Sequence, residues 1–323
     1  MLKKLDQISK LIGKTPSKQC NSRHINLFAK LEYYNYTGSI KDRAAFNIVK
    51  EGVISGDIDR ETVIIESSSG NFAIALATLC GDLGIEFIPV IDPNINSAYE
   101  QLLRLLCKRV IKVSEIDSTG GYLLTRIATV KAECANYKKS FWTNQYANAN
   151  NYLSYYKGLG NEICEGFDRL DYLFIGVSSG GTITGVSRRI KEKFPKAKVV
   201  AVDVEGSVIF GGKPKKRWVS GIGASMSSTL LKQALIDEVI HISHDQVIES
   251  CHSLMKEQNI FAGASSGAVY AAVKNYVAND RIAPEANVLF ICPDRGNAYL
   301  DTIYNRDWQL MTKEQQLMEY SPL

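Results

Sequence analysis

Short runs of β-branched and aromatic residues recur along the chain at 27–32, 63–65, 87–91, 110–113, 172–177, 199–203, 239–242 and 288–291. Between most of them lie stretches long enough for a crossover helix. Near-continuous apolar strands alternating with helices predict an α/β fold whose parallel sheets are covered on both faces. At 323 residues the chain is about twice the usual domain length, so two lobes are expected. The sequence has no long Pro/Gly/Ser linker and no internal repeat, which predicts lobes that exchange chain segments. The crossings are expected near Lys41 and Asn148, giving a larger lobe from 13–40 and 148–323 and a smaller one from 41–147. The stretch 310–323 is largely polar and charged and supports only a terminal helix or a frayed tail.

Composition narrows the function. Hydrophobic residues make up 45% and charged residues 22%, ample for a core and unlike a disordered chain. The 38 basic and 34 acidic side chains are interspersed, which leaves no electrostatic footprint for nucleic acid or an anionic membrane. The first ten residues, MLKKLDQISK, contain no secretory apolar run, and no apolar run approaches the ~20 residues of a membrane span. A cytoplasmic protein is expected. Seven cysteines, odd in number and never in a C-x-x-C pair, indicate reduced thiols rather than disulfides or a zinc ribbon. Four histidines offer no ligand pair for a metal, and no motif supports a Ser-His-Asp triad. Any chemistry is therefore expected to use an organic cofactor or none.

In open parallel sheets ligands sit beyond the carboxyl ends of the strands, so the turns there carry the interest. Segment 66–71, Glu-Ser-Ser-Ser-Gly-Asn, offers hydroxyls and backbone N–H groups at a helix start, suited to a carboxylate or to plain N-capping. Segment 178–182, Ser-Ser-Gly-Gly-Thr, forms an anion-binding nest suited to a phosphate, although it is neither a dinucleotide nor a P-loop fingerprint. Segment 265–268, Ser-Ser-Gly-Ala, opens a small-residue helix that close packing alone would explain. Lys41 begins a helical pattern, where the helix dipole and burial both favour the neutral amine that a Schiff base requires; by itself a lysine there reads as a surface group.

Taken jointly, Asn35-x-x-Gly38-Ser39-Ile40-Lys41-Asp42-Arg43, Ser68-Ser69-Gly70-Asn71, Gln145-x-x-Asn148, Gly180-Gly181-Thr182-Ile183-Thr184-Gly185, Gly221-Ile222-Gly223-Ala224 and Ser265-Ser266-Gly267-Ala268 resemble the cysteine synthase family of fold-type II pyridoxal-phosphate enzymes. The resemblance runs from Ile12 to Leu300. It implies two Rossmann-like three-layer lobes of the tryptophan synthase β type and pyridoxal 5'-phosphate as cofactor. Lys41 would form the internal aldimine and exchange protons at the substrate α-carbon. Asn71 would bond the ring hydroxyl oxygen, and Ser178, Ser179, Gly180, Gly181 and Thr182 would cradle the phosphate. Ser265, or failing that Ser266, would face the pyridine nitrogen. Ser68, Ser69 and Gln145 would hold the substrate α-carboxylate. The larger lobe would then bind the cofactor phosphate, while the smaller, mobile lobe carries Lys41 and the carboxylate loop. A homodimer is implied by the family alone.

A neutral serine at the pyridine nitrogen does not favour a protonated ring, which points to β-elimination through an aminoacrylate followed by addition of a nucleophile. The departures from the common pattern bear on which nucleophile. The phosphate turn has Ser178-Ser179 where Gly-Thr is usual, Gln145 is followed by Tyr146 rather than Phe, and Asn35-Tyr36-Thr37-Gly38-Ser39 replaces Asn-Pro-Gly-Gly-Ser. Segments 120–128, 144–148, 206–211, 221–225 and 293–296 resemble the N-(2-amino-2-carboxyethyl)-L-glutamate synthases of the 2,3-diaminopropionate branch in siderophore assembly. That likeness implies amino-acid substrates, O-phospho-L-serine and L-glutamate, with release of phosphate. Arg126 suits a phosphate leaving group because a guanidinium fork pairs a dianion bidentately; the alternative is a solvated helix residue. Tyr146 and Ser179 would orient glutamate. The competing readings are a cysteine synthase using O-acetylserine or O-phosphoserine with sulfide, and a non-catalytic regulatory homologue, which would have no need of Lys41 and Asn71. Tyr152, Tyr155 and Tyr156 have no assigned role.

Overall fold

The structure is a computed structural model that describes residues 1–320. Among the described residues ten strands run in chain order: β1 Ser17–Cys20, β2 Asn26–Leu31, β3 Val63–Ser67, β4 Glu86–Ile91, β5 Ile111–Lys112, β6 Ser140–Trp142, β7 Tyr172–Gly176, β8 Lys198–Val204, β9 Glu238–Ile242 and β10 Asn287–Cys292. The α-helices are α1 Leu2–Ser9, α2 Lys41–Ser55, α3 Asn71–Leu83, α4 Ser97–Leu106, α5 Leu123–Cys134, α6 Ala149–Tyr155, α7 Asn161–Gly166, α8 Gly181–Lys193, α9 His244–Gln258, α10 Ala264–Ala278 and α11 Arg306–Tyr320. The polar C-terminal stretch is thus helical as far as Tyr320, and positions 321–323 lie outside the described residues. Among the described residues, no helix is long and apolar enough to cross a membrane.

The strands form two sheets. One has the order β1-β2-β10-β7-β8-β9 and the other β5-β4-β3-β6. Every pairing is parallel except that of β1 with β2. β1 and β6 lie outside the runs expected from the sequence, for a physical reason: each is a short edge strand. Ser17–Cys20 carries no apolar run, and Ser140–Trp142 is only half-buried. The expected run at 110–113 shrinks to two paired residues, again at an edge.

The apolar alternation has period two, so each strand feeds two cores. On β7, Leu173 and Ile175 join one core and Phe174 the other; on β10, Leu289 and Ile291 oppose Val288 and Phe290. The first of these cores is continuous between the sheets. It joins Leu173 and Val186 on the six-stranded side to Ile64, Phe72 and Leu76 on the four-stranded side. α3 is buried on nearly all faces, as its apolar composition demands, and α2 packs on both α3 and α6. The two sheets therefore share a core, and the carboxyl ends of β3, β7 and β10 deliver their turns to the seam.

Candidate active site

Lys41, Ser178, Ser179, Gly180, Thr182 and Ser265 line a single pocket, with Gly221 and Pro293 in its wall. Segment 178–182 leaves β7 and becomes the first turn of α8. Gly180 caps that helix at φ +82°, a left-handed conformation that glycine adopts without strain, and a Cβ there would lie 2.6 Å from Leu231 Cγ. The first N–H groups of α8 have no intrahelical acceptor and sit at the positive end of its dipole, which makes the turn a seat for a phosphate. Ser178 Oγ donates to the Gly223 carbonyl at 3.2 Å and so ties this turn to the 221–224 loop. Ser265 is in the pocket wall, whereas Ser266 is fully buried and lies outside it.

Lys41 opens α2, and the surrounding chain fixes its place. Ile40 N–H donates to the Pro293 carbonyl at 2.8 Å, and Ser39 pairs with Asp294 in an isolated antiparallel bridge. Two residues on, the Arg43 guanidinium is held on both sides. It meets Glu32 at 2.6 and 2.9 Å and Glu162 at 2.7 and 2.9 Å, and Lys30 adds a 2.9 Å bond to Glu162. This network pins the first turn of α2 to the six-stranded side. Burial lowers the Lys41 pKa to about 8, with the Asp294 carboxylate acting the other way. The amine is thereby brought near neutrality, as an attacking nucleophile requires.

The turn after β3 is built differently. Glu66 is fully buried and accepts from the Ser67 N–H at 2.8 Å, the Gln145 N–H at 3.3 Å and the Thr143 hydroxyl, while burial pushes its pKa up to about 7. It joins the turn to segment 143–145, where Gln145 Nε2 also donates to the Ser67 carbonyl at 3.3 Å. Ser68 Oγ accepts from Ala73 N–H at 3.2 Å in the first turn of α3, whose N-cap position is Gly70. Ser69 Oγ donates to Asp92 at 3.0 Å and accepts from Arg126 Nη1 at 3.1 Å. Arg126 Nε lies 3.1 Å from Asp92 and its side chain is only 11% exposed, so it is not a solvated helix residue. Tyr146 is close enough to Arg126 and Arg217 for both cations to act on its phenol, and its carbonyl accepts from Ser228 Oγ at 2.6 Å across the seam.

Asn71, the first residue of α3, reaches across to the end of β10, where its Nδ2 donates to Asp294 Oδ2 at 2.7 Å. Asp294, Asp92 and Glu66 each face a site residue, and sequence reasoning assigned none of them a role. Asp294 lies 223 positions from Asn71, Asp92 lies 23 from Ser69 and Glu66 lies 79 from Gln145, beyond the reach of any local spacing. Tyr155 is buried, with its hydroxyl on the Ile40 carbonyl at 3.2 Å, behind Lys41; Tyr156 bonds Glu192 at the surface. Among the described residues no cluster could hold a metal ion.

The family of pyridoxal-phosphate dependent enzymes matches residues 8–294. The chain is 43% identical over 302 residues, 92% of its length and 89% of the relative's, to N-(2-amino-2-carboxyethyl)-L-glutamate synthase of Ralstonia nicotianae. Among solved structures, it is similar to the O-acetylserine dependent cystathionine β-synthase of Helicobacter pylori (TM-score 0.84, 29% identity, 92% of this chain and 98% of that one). It is also similar to a hydrogen sulfide-producing enzyme of Fusobacterium nucleatum (TM-score 0.84, 28% identity, 91% and 99%). The donor set suits the cofactor of that family: an amine of lowered pKa for the aldehyde, a helix N-terminus for the phosphate and a serine hydroxyl, all facing one pocket. The match spans most of the chain, and the chain belongs to the pyridoxal-phosphate dependent enzymes, with pyridoxal phosphate as its cofactor.

Proposed function

We propose that this enzyme carries out β-replacement, joining O-phospho-L-serine to the amino group of L-glutamate with release of phosphate. The observation that carries the reading is Arg126. The Asp92 carboxylate lies 3.1 Å from its Nε as an ion pair and Ser69 Oγ accepts from its Nη1, which holds the guanidinium beside the turn that would take the substrate carboxylate. A fixed fork suits a phosphate leaving group, whereas an acetyl ester gives it no charge to pair. The 43% identity to a synthase named for the glutamate adduct supports L-glutamate as the acceptor.

Bound pyridoxal phosphate supplies an electron sink for the bonds at the substrate α-carbon. The chain's own residues divide the remaining work. Lys41 holds the cofactor and moves the α-proton. The 178–182 turn holds the cofactor phosphate, Asn71 its ring oxygen, and Ser265 faces its ring nitrogen. Ser68, Ser69 and Gln145 take the α-carboxylate, Ser69 chiefly through its backbone, since its hydroxyl is engaged by Asp92 and Arg126. Tyr146 and Ser179 orient the incoming amine. Because Ser68–Asn71 and the cradle lie on opposite sides of the seam, substrate binding draws the smaller lobe inward.

A cysteine synthase is the second reading, favoured by the likeness to a sulfide-producing enzyme and to an O-acetylserine dependent one. Holoenzyme incubated with O-phosphoserine and equal glutamate and sulfide, followed by mass spectrometry, separates the two. The proposal expects the glutamate adduct with one phosphate per product. Rapid cysteine formation with no glutamate adduct would establish the second reading instead.

A further inference from the structure

The segment beyond β10 is where Lys41, Asn71 and Ser265 converge. Pro293 accepts the Ile40 N–H at 2.8 Å and Asp294 pairs with Ser39, which sets the approach to Lys41. The Asp294 carbonyl accepts from the Gly263 N–H at 3.1 Å, which sets the start of α10 and with it Ser265. The Asp294 side chain is 2% exposed, and its Oδ2 accepts from Asn71 Nδ2 at 2.7 Å and from the Tyr299 hydroxyl at 2.8 Å. A side chain at position 263 would run into Asp294 Oδ1 and the Tyr299 ring, so Gly263 makes room for both.

The Asn71 amide has two unlike ends. A carboxylate only accepts, so the Nδ2 end must face Asp294, while the Tyr99 hydroxyl donates to Oδ1. Flipping the amide would set a carbonyl oxygen against a carboxylate and force the Tyr99 hydroxyl to turn from donor to acceptor. Burial pushes the Asp294 pKa up, but Tyr299, Asn71 and Lys41 all favour its ionised form. Nδ2 carries a second hydrogen beyond the one given to Asp294.

We propose that Asp294, with Tyr99 as the opposing contact, is a positioning residue that fixes the Asn71 amide so that an N–H rather than a carbonyl meets the cofactor's ring oxygen. The proposal rests on the reading that Asn71 faces that oxygen. A donated hydrogen bond stabilises negative charge on the oxygen. It therefore lowers the pH at which the lysine-linked cofactor loses its shared proton; a flipped carbonyl would raise that pH.

The test is the pH titration of the cofactor's visible absorbance band, with the cofactor dissociation constant as a second readout. The variants are Tyr99→Phe, Asp294→Asn and Asn71→Ala, alone and paired. Tyr99→Phe exchanges one neutral ring for another, so its effect comes from the lost contact alone. The expected result is an upward shift of the titration midpoint by about half a unit and about threefold weaker cofactor binding, both absent when Asn71 is already alanine. Asp294→Asn also removes a charge near Lys41, so its expected signature is a smaller effect in the Asn71→Ala background. Unchanged titrations for Tyr99→Phe, or effects of either variant that persist in full without Asn71, would overturn the proposal while leaving the role of Asn71 standing. A silent Asn71→Ala would remove that role and the proposal with it. If Asp294→Asn does not fold, Tyr99→Phe decides.

Discussion

Two turns of this chain, 67–71 and 178–182, read alike in sequence, for each leaves a strand, runs through serines and a glycine, and opens a helix. Their construction differs. The second is tightly fitted: Gly180 is left-handed, and its Cα sits against Leu231 with no space for a methyl group. In the first, Gly70 is extended at φ −156° and a Cβ there would meet nothing within 4 Å, while the hydroxyls of Ser68 and Ser69 already serve Ala73, Asp92 and Arg126. A rigid seat suits a cofactor that stays through every turnover. A turn whose polar groups have exchangeable partners suits a substrate that arrives and leaves.

The largest effect should come from the fixed side. Replacing Arg43 by Met leaves Glu32 a fully buried carboxylate without a cation and Glu162 with Lys30 alone, and breaking a buried pair in this way costs about 3–5 kcal/mol. Denaturant unfolding should show that loss, with cofactor binding weakened as α2 loosens. A variant as stable as the parent would mean that the network does not anchor Lys41.

Arg126→Met probes the adjustable side. It should lower kcat/KM for O-phosphoserine by about 10- to 100-fold, the range expected for lost charge-assisted bonds, and leave cofactor affinity and O-acetylserine turnover nearly unchanged. Equal losses with both substrates would assign Arg126 to holding the turn together through Ser69 and Asp92.

One methyl group, placed on either turn, should have unequal effects. Gly180→Ala forces a left-handed alanine against Leu231 and should weaken cofactor binding about tenfold or more, from backbone strain of about 1–2 kcal/mol plus the clash. Gly70→Ala should change cofactor affinity by less than about twofold. Similar losses in a fluorescence titration of both variants would erase the distinction between the two turns.

The smallest effect is a displaced pH midpoint. Cofactor capture needs the neutral Lys41 amine, and burial lowers its pKa to about 8. The rate of cofactor uptake should therefore rise with pH through a midpoint near 8, where an ordinary lysine would rise only near ~10.4. Removing the Asp294 charge, which raises the Lys41 pKa, should move that midpoint lower still. A rate flat from pH 6 to 9 would contradict the assignment.

What could be read from the chain and what could not follows from locality. Lys41, the 178–182 turn and Ser265 sit at strand-to-helix turns whose composition shows in a few consecutive residues, and the structure brings them to one pocket. The groups that hold them are of another kind. Asp294 meets Asn71 across 223 positions of sequence, Arg43 meets Glu162 across 119, and Asp92 reaches Arg126 from a different element. No spacing rule links such pairs, because the two sheets first have to share a core. The same reasoning covers β1 and β6, which edge position rather than apolar pattern makes into strands.

Every role assigned to these residues depends on the cofactor being joined to the side chain of Lys41. Borohydride reduction of the holoenzyme, followed by digestion and mass mapping, tests this directly. A single pyridoxyl-modified peptide is expected, with the added mass on Lys41. A label on any other lysine, or none at 41, would contradict it.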